Sequence, residues 1–133
     1  MEWVAAFSTD DGNTFVNKHS GDARYFDIYK ISETGTVFLK RIENHAPEEK
    51  KHADPEKAKN IGRALKQEGV QLLVSKVFGP NVKRMKKQFV PILMNDESIR
   101  ESLKKLQEKI PEIEAEWKKG EERSLLNFKT KSL

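Results

Sequence analysis

The sequence contains no cysteine. Disulfide bonds and thiolate metal ligands are therefore excluded, and a metal held by the protein would need His, Asp, Glu, Met or main-chain ligands. Histidine is also scarce, with three among 133 residues. The candidate metal ligands of this type are accordingly His19, His45 and His52.

Long apolar runs are missing as well. No stretch approaches the roughly 18 apolar residues that a membrane-spanning helix needs. The first seven residues lack the basic region and the apolar core of a signal peptide, and they are typical of a β-strand. We therefore expect a cytoplasmic protein without membrane contacts, and its 133 residues suffice for one core.

A large charge excess is absent too, since the formal net charge is +4. Residues 95–133 carry nine acidic and nine basic side chains, so the excess of 16 bases over 12 acids belongs to residues 1–94. This modest imbalance predicts a mild preference for anionic partners.

Apolar runs separated by turn residues predict three strands in the first third of the chain, at residues 3–8, 23–31 and 36–42. The segment 32–35 has the composition of a short hairpin turn. Because hairpins reverse the chain direction, these strands are expected to form an antiparallel meander.

The pattern becomes helical at Asp54, which is a suitable N-cap before Pro55, and Gly69 is a typical helix stop. A continuous apolar block at residues 70–78 predicts a strand that is buried on both faces. The remaining predicted elements are a short helix at 79–87, a strand at 89–94, a helix from 95 and a second short helix at 111–120. We thus expect an α/β domain at residues 1–94, a helical extension packed on it at 95–120, and a flexible tail at 121–133.

The order of these elements places three connections at one edge of the sheet. They are residues 9–22, 44–53 and 78–81, and ligands of open α/β sheets bind at the carboxyl ends of parallel strands. All three histidines fall in these connections. Residues 79–82 would add the N–H groups of a helix start, with Lys76 and Arg84 nearby, so this edge is predicted to accept an anion.

The segment from His19 to Ala23 reads His-Ser-Gly-Asp-Ala, and Phe26 to Tyr29 reads Phe-Asp-Ile-Tyr. The first resembles the His-Phe-Gly-x-Ala segment, with Ser20 in place of Phe, and the second resembles the Phe-x-Ile-Tyr strand of the dinitrogenase iron–molybdenum cofactor biosynthesis family. Further agreements are Val4-Ala5-Ala6, Ala64-Leu65, Gly69-Val70, Val74, Phe78-Gly79 and Val82. The resemblance covers roughly residues 3–94.

This resemblance implies a ribonuclease-H-like fold, here a mixed five-stranded sheet with three antiparallel and two parallel strands flanked by helices. It also implies binding of an iron–sulfur cluster precursor or the iron–molybdenum cofactor, with exchange to a donor or acceptor protein. His19 is the implied metal ligand. The candidate cofactor-binding residues are His19, Gly21, Lys76, Gly79, Asn81 and Arg84.

Other interpretations fit the same residues. His45 and His52 are compatible with ordinary surface positions, and Gly79 with a tight turn alone. A two-metal nuclease would need converging carboxylates, whereas Asp10 and Asp11 are the only ones expected at the proper edge. A nucleic-acid-binding module would need interleaved aromatic and basic residues, which are missing. We therefore expect a binding domain rather than an enzyme.

Overall fold

A computed structural model describes residues 2–44 and 55–130, and for residues 55–58 it describes the backbone alone. The candidate ligands His45 and His52 and the predicted helix cap Asp54 lie outside the described residues. Every statement below refers to the described part of the chain.

Three strands form the predicted antiparallel meander. They are β1 (Trp3–Thr9), β2 (Tyr25–Ser32) and β3 (Gly35–Glu43). β1 pairs with β2 from Trp3 opposite Ile31 to Thr9 opposite Tyr25. The pairing of β2 with β3 shifts register between Ile28 and Tyr29, so that Leu39 is an extra, bulged residue on β3.

Two crossovers extend the sheet on the other side of β1. Helix α1 (Pro55–Gln67) leads to β4 (Leu72–Ser75), and the short helix α2 (Val82–Met85) leads to β5 (Val90–Leu93). β4 is parallel to β1 and β5 is parallel to β4. Gly69 ends α1 with a positive φ of 75°, a conformation that glycine adopts without steric cost.

Helices α3 (Ile99–Glu108) and α4 (Ile110–Trp117) follow β5. Helix α3 begins after its cap Ser98, whose side chain accepts a hydrogen bond from the Glu101 N–H at 3.2 Å, and not at the predicted residue 95. Ser98 with Glu101 three residues later is the sequence signature of a capping box, and this signal would have located the start of the helix.

The described residues 121–130 correct the prediction of a flexible tail at 121–133, because they are joined to the sheet. They include a sixth strand, β6 (Leu126–Asn127), which pairs in parallel with β5. The Phe128 N–H donates to the Leu93 carbonyl at 2.9 Å, and Asn95 exchanges two hydrogen bonds with the main chain of Thr130 at 2.8 and 3.0 Å. A two-residue strand is too short to produce an alternating pattern in the sequence.

The sheet separates two apolar cores, because successive side chains of a strand point to opposite faces. Trp3, Ala5 and Phe7 of β1 join the core under α3 and α4, whereas Ala6 joins the core under α1 and α2. Trp3 contacts Trp117 of α4 edge-to-face, with 6.1 Å between the ring centroids. Side chains of α3 such as Leu103 and Leu106 therefore share one core with the strands.

The strand order is β3-β2-β1-β4-β5-β6. The predicted class, a mixed α/β sheet with an antiparallel meander and parallel strands flanked by helices, is confirmed, although the sheet has six strands and not five. The carboxyl ends of β1, β4 and β5 lie at one edge, which we call the upper edge. None of the helices in the described ranges has both the length and the apolar character needed to cross a membrane.

Candidate functional site

A pocket opens at the upper edge, between the loop that follows β1 and the loop that follows β4. One wall is formed by His19 to Asp22, and the other by Phe78 to Val82. Its floor consists of Ile61, Leu73 and Met85, which belong to the core under α1 and α2. The His19 pocket, as we name it, therefore has an apolar base and a polar rim.

The imidazole of His19 lies against the main chain of Gly79. A Cβ atom on residue 79 would come within 2.5 Å of the His19 Nδ1 and within 3.0 Å of Cγ and Cε1, closer than real Cβ atoms approach other groups. The φ angle of Gly79 is not positive. The interpretation that Gly79 serves only a tight turn was therefore wrong, because its missing side chain leaves room for the imidazole.

Hydrogen bonds fix the wall that carries His19. The Ser20 N–H donates to the Val77 carbonyl at 2.9 Å, which ties this wall to the end of β4. The buried hydroxyl groups of Ser8 and Ser20 are 2.5 Å apart. The main chain next to His19 is thus held to the sheet through the amide and the hydroxyl group of Ser20.

Asn44, directly after β3, holds the same wall from the other side. Its Nδ2 donates to the carbonyl oxygens of Gly21 and Ala23, at 2.8 and 2.9 Å. Sequence reasoning missed this residue. Its position right after the third strand, at the predicted edge, was the only signal in the sequence.

Basic side chains lie at or next to the rim. The Nη1 of Arg84 donates to the Oδ1 of Asn81 at 3.2 Å, and Asn81 lines the pocket. The Nζ of Lys76 donates to Asn17 Oδ1 at 3.0 Å, which links the two loops. Arg84 is exposed, so its remaining donors face solvent beside the pocket.

The main-chain N–H groups do not form the predicted helix-start site. Residue 80 is proline and has no N–H group, and the Val82 N–H donates to the Gly79 carbonyl at 3.1 Å. Helix α2 has only four residues. The expectation that residues 79–82 present a full set of helix-start amides was wrong, because Pro80 has no N–H group and Val82 uses its own in a tight turn.

The acidic residues at this edge serve the loop after β1. Asp11 accepts hydrogen bonds from the N–H groups of Asn13 and Thr14, each at 2.8 Å. These bonds lower the pKa of Asp11 to about 2, with the Thr14 amide as the largest cause. Asp10 accepts from the Arg24 N–H at 2.8 Å.

Asp27 is buried in β2 and forms a two-point ion pair with Arg41 of β3, at 2.8 and 3.2 Å. The Arg41 guanidinium also lies 4.3 Å from the centroid of the Tyr25 ring, and Gly12 has no room for a Cβ next to it. In the described ranges, no three or more His, Asp or Glu side chains come together in a group that could hold a metal ion.

Four of the candidate cofactor-binding residues come together in the His19 pocket. They are His19, Gly21, Gly79 and Asn81. Lys76 and Arg84 do not line it, although Arg84 contacts it through Asn81. The apolar floor was not anticipated, because Ile61, Leu73 and Met85 come from three elements whose meeting point depends on the tertiary structure.

The fold and the pocket define a small α/β domain of the mixed-sheet type with a pocket at the ends of its parallel strands. Comparison with known sequences gives the family. The profile of the family described as "Dinitrogenase iron-molybdenum cofactor" matches residues 1–109. The chain belongs to this family, which confirms the resemblance inferred from residues 3–94 and extends it through α3.

A solved structure has a similar fold. It is a crystal structure of a protein from Methanocaldococcus jannaschii that is provisionally described as a dinitrogenase. The two chains are 19% identical, and the alignment covers 81% of this chain and 90% of the other, with a TM-score of 0.59. At this identity the likeness concerns the fold alone. None of the curated proteins compared with the chain matches it.

Proposed function

We propose that this protein is a non-catalytic binding domain that holds or carries an anionic iron–sulfur or iron–molybdenum cluster in the His19 pocket. The observation that carries the proposal is the placement of the His19 imidazole against Gly79 on the wall of an apolar-based pocket. Membership in the cofactor family supports this type of ligand.

The small number of protein ligands at the pocket suits a preassembled cluster better than a single metal ion. A preassembled cluster carries its own bridging sulfides, so one imidazole from the protein can suffice to anchor it. A free metal ion needs several protein ligands, and the described residues offer no group of three. The apolar floor would shield one side of the cluster from water.

Charge around the pocket supports an anionic ligand. Arg84 and Lys83 are exposed on α2 beside the rim, and Lys76 lies at the end of β4. Exposed cations attract an anion mainly during the encounter, and salt screens this attraction. We therefore assign them the capture of the cluster and assign His19 its retention, with a donor or acceptor protein completing the transfer.

The test is an anaerobic titration of the purified protein with isolated iron–molybdenum cofactor or its iron–sulfur precursor, followed by the cluster's absorption. We expect saturable binding by the wild type and its loss in His19→Ala. His45→Ala and His52→Ala, which each remove one imidazole, test separately whether the other two candidate metal ligands contribute to binding. The near-ultraviolet circular dichroism of Trp3 and Trp117 reports the fold, because this pair lies in the other core.

Two results would contradict the proposal. The first is a wild type with an intact fold that neither cluster saturates at any concentration. The second is a His19→Ala variant that binds a cluster as tightly as the wild type does. Salt-sensitive binding of DNA or RNA in place of a cluster would instead support the alternative, an anion-binding module of the same fold.

A further inference from the structure

The edge strand β3 carries an apolar surface that the rest of the described chain leaves open. Val37, Phe38 and Leu39 are 57%, 51% and 43% exposed, and they are consecutive. β3 lies at the end of the strand order, so one of its two edges has no partner strand in the described ranges. An exposed apolar edge of this kind is a template for pairing with another strand.

Charged side chains on an edge strand usually prevent it from pairing with another strand. The two basic side chains of β3, however, both form ion pairs with acidic residues. The Nζ of Lys40 lies 3.2 Å from the carboxylate of Glu68, and Arg41 is bound at two points by Asp27. Both acids belong to the same chain. The edge is therefore close to neutral in its centre, and an approaching strand does not meet unpaired positive charge there.

We propose that β3 pairs with β3 of a second copy of this chain, in an antiparallel arrangement about a two-fold axis near Phe38. In this register Lys40 lies opposite Thr36 and Arg41 opposite Gly35. A parallel, in-register arrangement would place Lys40 beside Lys40 and Arg41 beside Arg41 of the second copy, and like charges that face each other are unfavourable. The charge pattern of β3 thus favours the two-fold symmetric, antiparallel dimer.

The shape of β3 fits the same occupant. The bulge at Leu39 bends the strand and increases its twist, so an ordinary straight strand matches it poorly. A second copy related by a two-fold axis bends in the same way, and in the register centred on Phe38 the Leu39 bulge of each copy faces Val37 of the other. The pairing would join two six-stranded sheets into one and cover Val37, Phe38 and Leu39 on both copies.

Sedimentation equilibrium of the full chain tests the pairing. We expect a concentration-dependent dimer for the wild type and a dissociation constant raised about tenfold or more in Phe38→Lys, because a charge would enter the apolar contact. Ala115→Lys, on the exposed side of α4, adds the same charge elsewhere and should leave the constant unchanged. A wild type that stays monomeric up to its solubility limit would overturn the proposal.

Single cysteines provide a second test, because the chain has none of its own. Facing residues of an antiparallel pair have Cα atoms about 4.5–5.5 Å apart, which a disulfide can span. Mild oxidation should therefore cross-link Phe38→Cys, or Leu39→Cys if the axis is shifted by one residue, but not Ala115→Cys. The arrangement would be refuted if none of Val37→Cys, Phe38→Cys and Leu39→Cys forms a cross-link. Equal cross-linking of all three variants would also refute it, because a parallel pair gives that result.

Discussion

The His19 side chain occupies the space that a Cβ atom on Gly79 would need, with the Nδ1 only 2.5 Å from that position. The two residues come from different loops, 60 positions apart in the sequence. The ring position therefore depends on the absence of one methyl group on the opposite wall. Gly79 needs no special backbone conformation. A side chain at position 79 is therefore expected to disturb the imidazole and to leave the fold intact.

Gly79→Ala should displace the imidazole without unfolding the protein. We expect cluster affinity to fall about 10- to 100-fold, the usual range when a group that orients a metal ligand is changed. The measurement is the anaerobic titration, with thermal unfolding in parallel. Gly35→Ala is the matched control, because a Cβ there would meet no atom within 4 Å. Unchanged affinity in Gly79→Ala would mean that the observed ring position is not needed for binding.

Arg84→Gln should weaken capture of the cluster modestly. An exposed charge contributes about 0.2–1 kcal/mol to such an interaction, so affinity should fall about 1.4- to fivefold at low salt and less at high salt. The control is Lys104→Gln on the exposed side of α3, which removes the same charge away from the pocket. Equal effects of both substitutions would show that only net charge matters.

The stabilisation that the ionised carboxylate of Asp11 provides should be lost in acid. Its pKa is lowered from 3.8 to about 2 by the Thr14 and Asn13 amides, so the folded chain releases this proton more readily than the unfolded chain. The stabilisation is complete above about pH 4 and is lost as the pH falls towards 2. Because Asp11 is exposed, we expect a contribution of at most about 1 kcal/mol.

The measurement for Asp11 is urea unfolding at pH 7 and near pH 3. Asp11→Asn should lose less stability than the wild type between the two pH values, since it has no carboxylate to protonate. The exposed Glu97→Gln is a suitable comparison for carboxylates outside this turn. An identical pH dependence of wild type and Asp11→Asn would exclude the role of the turn.

Asp96 should stabilise the contact between α3 and the residues after β6. Its carboxylate accepts from the buried hydroxyl of Ser102 at 2.7 Å and from the Nζ of Lys105 at 2.8 Å. Lys105 also donates to Thr130 at 2.9 Å. Asp96→Ala leaves a buried hydroxyl without its acceptor, so we expect a loss of about 1–3 kcal/mol in the free energy of unfolding.

The neighbouring substitution Glu97→Ala is the control for Asp96→Ala. Glu97 is exposed, and such substitutions usually change stability by less than about 0.5 kcal/mol. Both changes can be measured by chemical denaturation at neutral pH. Similar effects of the two would show that the Asp96 network adds nothing beyond surface charge.

Much of the fold could be predicted because its signals are local. Apolar runs and turn residues located five of the six strands, and the reversal of direction at each hairpin fixed which loops share an edge. That reasoning alone brought His19 to the same edge as Gly79. The prediction succeeded because direction is set by connectivity and does not depend on side-chain detail.

The rest depended on contacts between distant side chains. The need for glycine at position 79 arises from an imidazole in another loop, and no local pattern encodes it. The pair of Asp27 and Arg41 likewise depends on the register of β2 and β3, which a bulge shifts. β6 forms where the chain returning from α4 meets the open edge of β5. Its strand conformation depends on this contact, so its two residues show no strand pattern in the sequence.

The parallel orientation of β6 determines where the polypeptide leaves the sheet. Since β6 runs in the same direction as β4, the chain departs at the His19 edge, about 10 Å to the side of β4 at the usual strand spacing. β1 enters from the opposite edge. A bulky label attached at Thr130 would therefore lie at the edge that carries the pocket, whereas a label attached at Glu2 would lie at the opposite edge and leave the pocket accessible.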